Sequence, residues 1–214
     1  MLYTEAQKAI AFKLGRRTDL QAEIISEIDA QQRELETEAN LPWFLVSDIV
    51  IPHTDVNGLV NPVPLPAAFI REYEDAEWYA STDSGELVPL EKISDRRAAR
   101  GGSGFPQAYF LFGDTVEYFP SPDKNYLLSV RAYAKEPLLS EQFIIDGNLT
   151  TNKWLAHAPQ VLIEAVVVSL CSTLRDVDGA RLAAERLQVA KQKMREQTVY
   201  RMEYNQLRTM GERN

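Results

Sequence analysis

The chain has 214 residues, of which 45% are hydrophobic and 25% charged, and its formal net charge is −8. These values are typical of an ordinary globular domain and exclude a collagen-like, a purely coiled-coil or a wholly disordered chain. The acidic excess argues against a general nucleic-acid binder, because such proteins neutralise phosphates with surplus Lys and Arg. A chain of this length buries one sizeable core without disulfides or a structural metal.

Targeting and membrane-spanning segments are not expected. The residues after Met1 lack the basic and apolar regions of a secretory signal. The longest nearly continuous apolar run, residues 161–171, contains Glu164 and is too short to cross a bilayer. The single cysteine, Cys171, lies in this run, which predicts a buried thiol in a reducing compartment. We therefore expect assembly in a cytoplasm and no membrane contact.

Proline and charge divide the chain into three segments. All eleven prolines lie between Pro42 and Pro159. Residues 1–41 carry a net charge of −3, residues 42–159 carry −7 and residues 160–214 carry +2. Because proline disrupts a helix interior, this distribution permits long helices at the two ends and not in the middle.

The first segment predicts two helices. Thr4 with Gln7, and Thr18 with Gln21, have the spacing of a capping box, in which two side chains satisfy free amides of a first helical turn. Apolar residues recur at helical spacing after each start, until Gly15 in the first helix.

The middle segment predicts strands. Short β-prone runs occur at 43–46, 49–51, 106–119 and 125–134. Turn residues such as Gly113 separate these runs, so we expect a meander of hairpins.

The last segment predicts two more helices. Pro159 suits a first helical position, and the apolar run that follows is typical of a buried helix. A long, mildly basic final helix with one apolar stripe is expected from about Asp178, fraying beyond about Tyr204. The predicted fold class is α+β: a helical bundle body formed by residues 1–41 and 152–214, with a β-rich insertion at 42–151.

The glycine-rich stretch 101–104 follows three arginines, Arg96, Arg97 and Arg100. A phosphate-binding loop also requires Gly-Lys-Ser/Thr, which is missing, so a flexible basic surface loop is the better interpretation. The same arginines support an alternative hypothesis, a cytoplasmic nucleic-acid accessory protein.

Catalytic and metal-binding patterns are weak. The two histidines, His53 and His157, have no partner at ligand spacing, so we expect no metal, no cofactor and no enzymatic activity. The sixteen carboxylates of the middle segment leave one enzymatic alternative, a virion-associated cell-wall hydrolase that uses a carboxylate pair. Tryptophans such as Trp43 and Trp154 are expected to anchor the core or a subunit interface.

A series of short segments resembles tailed-bacteriophage head-to-tail connector (adaptor) proteins, which are similar in plan to tail tubular and gatekeeper-type proteins. The order of the segments, between a helix pair before and a helix pair after, carries the resemblance over about residues 1–175. The matching segments are 41–45 (LPWFL), 65–72 (LPAAFIRE), 89–92 (PLEK), 104–109 (GFPQAY), 118–123 (YFPSPD) with 126–128 (YLL), and 152–155 (NKWL).

The resemblance implies a structural virion protein without catalytic residues. It implies a ring, usually of twelve copies, that docks beneath the portal protein, connects capsid to tail, binds tail or nozzle proteins and extends the DNA channel. DNA would pass through without specific binding, because an acidic lining repels phosphates. The expected location is the head-to-tail interface of the virion, after assembly in the host cytoplasm. The predicted partner contacts are Arg195, Arg201, Arg208, Arg96, Arg97, Arg100, Trp43 and Trp154.

Overall fold

The fold is that of a computed structural model, which describes all residues except 56–57, 75–76, 99–100 and 212–214. For residues 55, 98, 149 and 202–211 the description covers the backbone alone. The chain forms two compact units. Met1–Leu45 with Glu136–Asn214 form what we call the helical unit, and Val46–Lys135 form the sheet unit.

The helical unit packs around one buried helix, α5. Most of its side chains are buried, including Val166 and Leu170, because the helix is apolar on nearly every face. Helices α1, α2, α4 and α6 all contact α5. The helices are α1 (Tyr3–Lys13), α2 (Gln21–Leu35), α3 (Leu139–Asp146), α4 (Lys153–His157), α5 (Pro159–Thr173) and α6 (Val177–Gly211). A short 3₁₀ turn, Trp43–Leu45, precedes the sheet unit.

The sheet unit contains an eight-stranded mixed sheet. The strands are β1 (Val46–Ile51), β2 (Thr54–Asp55), β3 (Gly58–Leu59), β4 (Val63–Pro64), β5 (Phe69–Glu72), β6 (Trp78–Ser81), β7 (Leu87–Lys92), β8 (Ser103–Gly104), β9 (Ala108–Phe112), β10 (Thr115–Phe119), β11 (Ser121–Pro122) and β12 (Leu128–Ala134). The strand order is β1-β12-β6-β7-β9-β10-β4, and β5 also pairs with β12. Pairing is antiparallel except between β7 and β9. Two short pairs, β8 with β11 and β2 with β3, lie outside this sheet.

A half-buried carboxylate ties four strands of this sheet together. Glu72 on β5 accepts hydrogen bonds from the Trp78 indole at 2.7 Å and the Tyr109 hydroxyl at 2.9 Å. Its second oxygen pairs with Lys92 of β7. Burial by itself would raise the pKa of Glu72, but the hydrogen bonds from Lys92, Trp78 and Tyr109 outweigh it and hold the pKa below the ordinary value. Burial and the hydrogen bond to Glu72 raise the pKa of the Tyr109 hydroxyl.

Several local predictions are confirmed. Helix α5 begins at Pro159, and the β9–β10 hairpin turns at Gly113, whose φ of +56° suits glycine. The predicted capping boxes are wrong. Leu2 caps α1, and its amide donates to Glu5 at 2.8 Å. Gln21 instead donates its side-chain amide to Gln7.

The predicted architecture, a helical bundle body with a β-rich insertion, is also wrong. The chain is α+β. Its described residues form six α-helices and a large mixed sheet of eight strands. The strands pair over long range, since β12 joins β1, β5 and β6, whereas the prediction assumed local hairpins. Helix α3 lies inside the segment that was predicted to be β-rich.

Among the described residues no helix is both long enough and apolar enough to cross a bilayer.

Candidate partner interface

A series of ring contacts, which we call the ring stack, connects Arg201 of α6 to the rest of the helical unit. The Arg201 guanidinium lies over the Trp43 indole, 5.1 Å from the ring centroid. The Trp43 ring lies 5.0 Å from the His157 ring, which stacks on Phe44 at 5.4 Å. Phe44 meets Trp154 edge-on at 5.2 Å. Arg201 and His157 are exposed and Trp43 is half-buried, so this ring stack reaches from solvent into the core.

A buried carboxylate holds the inner end of the ring stack. Trp154 is 0% exposed, and its indole N–H donates to Glu36 at 3.2 Å. Glu36 also accepts from the backbone amide of Glu136 at 3.1 Å and from the Arg33 guanidinium at 2.6 Å. Gln32 donates to the same carboxylate and to the Glu136 carbonyl. The Trp154 indole therefore has its hydrogen-bond partner inside the helical unit, and its ring packs against Phe44 at the buried end of the ring stack.

Helix α6 buries one stripe and exposes the rest. Ala183, Met194 and Thr198 are buried, whereas Arg195 and Arg201 are exposed. An ion pair from Lys191 to Glu38 fastens the same helix. The backbone is helical to Gly211, past Tyr204, where the apolar pattern weakens. Arg208 belongs to this helical stretch, and its side chain lies outside the described residues.

The other predicted arginines belong to the sheet unit. Arg96 donates to Glu117 at 2.8 Å, and the Arg97 backbone amide donates to Asp95 at 2.9 Å. Both side chains are exposed. Arg100 lies outside the described residues. Within the glycine-rich stretch, Ser103 and Gly104 form strand β8, so this part is an ordered strand and not a flexible loop.

Sequence reasoning missed a groove between α5 and α6, which we call the α5/α6 groove. Its volume is about 590 Å³, within the range of small-ligand sites. Val161, Val189 and Met194 contribute apolar walls, and Arg186 and Lys193 also line it. The sequence contained no signal for this groove, because it arises only when two helices separated by a turn pack side by side.

The two histidines discussed as metal ligands have structural partners: His157 contacts Trp43 and Phe44 in the ring stack. His53 is buried, and its Nε2 accepts from the Tyr126 amide at 3.2 Å. Within the described part of the chain, no group of three or more His, Cys, Asp or Glu side chains is placed to hold a metal.

Comparison with protein families shows which family this chain belongs to. The family model of the SU10 adaptor protein matches residues 1–210. The chain belongs to the SU10 adaptor protein family. A search of curated proteins finds no match. The match includes α6, for which the resemblance to connector proteins rested on helical character alone.

Membership of the SU10 adaptor family identifies a structural phage protein. An adaptor of this kind is a component of the virion at the head-to-tail junction, where it contacts other head and tail components. The family indicates a structural, connecting role.

Proposed function

We propose that the protein forms a ring of twelve copies beneath the portal, assembled in the host cytoplasm. The ring docks on the portal protein, offers a platform to tail or nozzle proteins and extends the DNA channel. The observation that carries this proposal is the family match over residues 1–210, because it covers both units and α6. The order of short motifs in the sequence agrees with this match.

The charge distribution suits a channel through which DNA slides. Each chain carries −8, and most of the acid lies in residues 42–159, which include the sheet unit. Repeated around a ring, this charge gives a strongly negative field that repels phosphates. Genome DNA therefore passes without specific binding.

The exposed side of α6 supplies the portal contact in this proposal. Arg195 and Arg201 are both exposed on α6, and Arg201 lies over Trp43. Arg and Trp are the residue types that most often dominate interface energies. Arg208 follows seven residues after Arg201 on the helical backbone of α6 and is proposed as a further contact. Arg96, Arg97 and Arg100 are proposed as a second contact for tail components.

Co-sedimentation with the portal protein from the same genome tests the proposal. We expect the purified protein to be monomeric or weakly associated alone and to form rings on the portal, visible by electron microscopy. The variant R195E should weaken this association at least about tenfold, because it reverses an interface charge. The control R181E changes an exposed arginine at the start of α6 and should bind normally. Absence of any complex with wild-type protein would overturn the proposal.

A further inference from the structure

The α5/α6 groove has the features of a built binding site. Its walls include Val161, Ala190, Met194 and Val189, the last with an exposed apolar side chain. Arg186 and Lys193 line the groove and are exposed to solvent. Glu185 is an exposed acid that also lines the groove. An occupant therefore needs an apolar tip whose negative charge meets Arg186 and Lys193 and avoids Glu185.

A buried polar atom in this groove also lacks a partner. Glu164 lines the groove and is 3% exposed. Its Oε1 accepts from Lys13 of α1 at 2.7 Å, whereas its Oε2 has no hydrogen bond among the described residues. Leaving a buried acceptor unsatisfied is costly, so a hydrogen-bond donor at this oxygen would stabilise the groove.

A matching surface projects from the same helical unit. At the end of α3, Ile144 is 85% exposed and Ile145 is 77% exposed. Glu141 and Asp146 of the same helix are exposed acids, and Asn148 follows with an exposed side-chain amide. We call these five residues the α3 tip. Adjacent isoleucines are seldom left so open to water unless a partner covers them.

We propose that the α3 tip of one copy packs into the α5/α6 groove of the next copy. The inference rests on the proposed ring, and it names the side-to-side contact within that ring. A cyclic ring requires two different patches on each chain that complement one another. The α3 tip and the groove meet this requirement: isoleucines face apolar walls, and Glu141 and Asp146 face Arg186 and Lys193. The Asn148 amide is the donor for Glu164 Oε2.

Disulfide trapping between two different single-cysteine additions tests this contact. The variants I144C and V189C carry different tags, and both retain the buried Cys171. The two proteins are mixed on the portal and oxidised. We expect a crosslinked dimer that contains both tags and is at least about tenfold more abundant than dimers in either variant alone. The control pair, I144C with V177C, places the second thiol on an exposed apolar residue of α6 outside the groove and should not crosslink.

Charge reversal provides a second measurement. D146K and K193E should each reduce the fraction of protein in rings at least about tenfold, and the double variant should recover most of it, because the pair is restored with opposite polarity. Rings that form normally on the portal with no mixed crosslink and no effect of either reversal would overturn the inference and leave the proposed function intact. A wild-type protein that forms no ring on the portal would overturn both. Capture of another protein's segment in the groove, with I144C uncrosslinked, would also overturn it.

Discussion

The Arg201 guanidinium lies over the Trp43 indole, 5.1 Å from its centroid, and so joins α6 to the turn that precedes the sheet unit. Trp43 in turn contacts His157, which stacks on Phe44. The charge of Arg201 is therefore positioned by packing, whereas Arg195, six residues earlier on the same helix, is simply exposed.

Replacing Arg201 with alanine should loosen this part of α6. A cation–π contact at an exposed site contributes about 0.5–1 kcal/mol, so the free energy of unfolding should fall by that amount. Amide exchange in residues 194–201 should accelerate severalfold, as measured by mass spectrometry. The control R195A should leave both quantities unchanged, and equal effects of the two variants would contradict a positioning role for the Trp43 contact.

Replacing Glu36 with alanine should destabilise the protein by about 3 kcal/mol or more. The Trp154 indole and the Glu136 amide would lose their acceptor inside the fold, and each unsatisfied buried donor costs about 1–3 kcal/mol. Chemical denaturation followed by tryptophan fluorescence measures the loss. E34A removes an exposed carboxylate from the same helix and should change the free energy of unfolding by less than about 0.5 kcal/mol.

The Lys13–Glu164 pair predicts strong coupling between α1 and α5. K13M leaves the buried Glu164 carboxylate without its cation and should cost about 3 kcal/mol. The double variant K13M/E164L should unfold within about 1 kcal/mol of the wild type, because an apolar pair replaces the ion pair at similar volume. Additive losses in a double-mutant cycle would contradict this prediction.

Acid should weaken the sheet through Glu72. Its pKa in the folded protein is held below the ordinary value of 4.5, so its carboxylate stabilises the fold above that pH. This stabilisation is lost as the pH falls through the lower folded-state pKa. The variant E72Q should therefore be destabilised most at neutral pH and should approach the wild type as the pH drops below 4.5.

Urea denaturation at a series of pH values measures this difference. E91Q, which changes an exposed carboxylate on β7, serves as the control and should differ little from wild type at any pH. If the free energies of unfolding of E72Q and wild type differ by the same amount at every pH, Glu72 acts through shape and not through charge.

Local patterns predicted elements whose causes are local. Pro159 begins α5 because its fixed φ suits the first helical turn, and the β9–β10 hairpin forms where Gly113 permits a positive φ. Long-range pairing had no such signal. Nothing in the alternation of 128–134 specified that β12 joins β1 on one side and β5 with β6 on the other, or that β7 and β9 run parallel.

The candidate interface was likewise predicted from the sequence only in part. Composition and spacing predicted Arg195 and Arg201 as partner contacts on a one-sided basic helix, and Trp43 and Trp154 as anchors of the core or of an interface. They did not separate Trp43, which meets Arg201 at the surface, from Trp154, which is buried on Glu36, because that distinction depends on which distant residue covers each ring.

By itself the sequence determined that α5 begins at Pro159, which segment holds the prolines and acids, and, through the order of short motifs, the family. Each of these is encoded by neighbours along the chain. Tertiary packing alone decided the strand order, the burial of Trp154, the α5/α6 groove and the unsatisfied oxygen of Glu164. These features join residues far apart in sequence, and their free energy depends on which surfaces exclude water together.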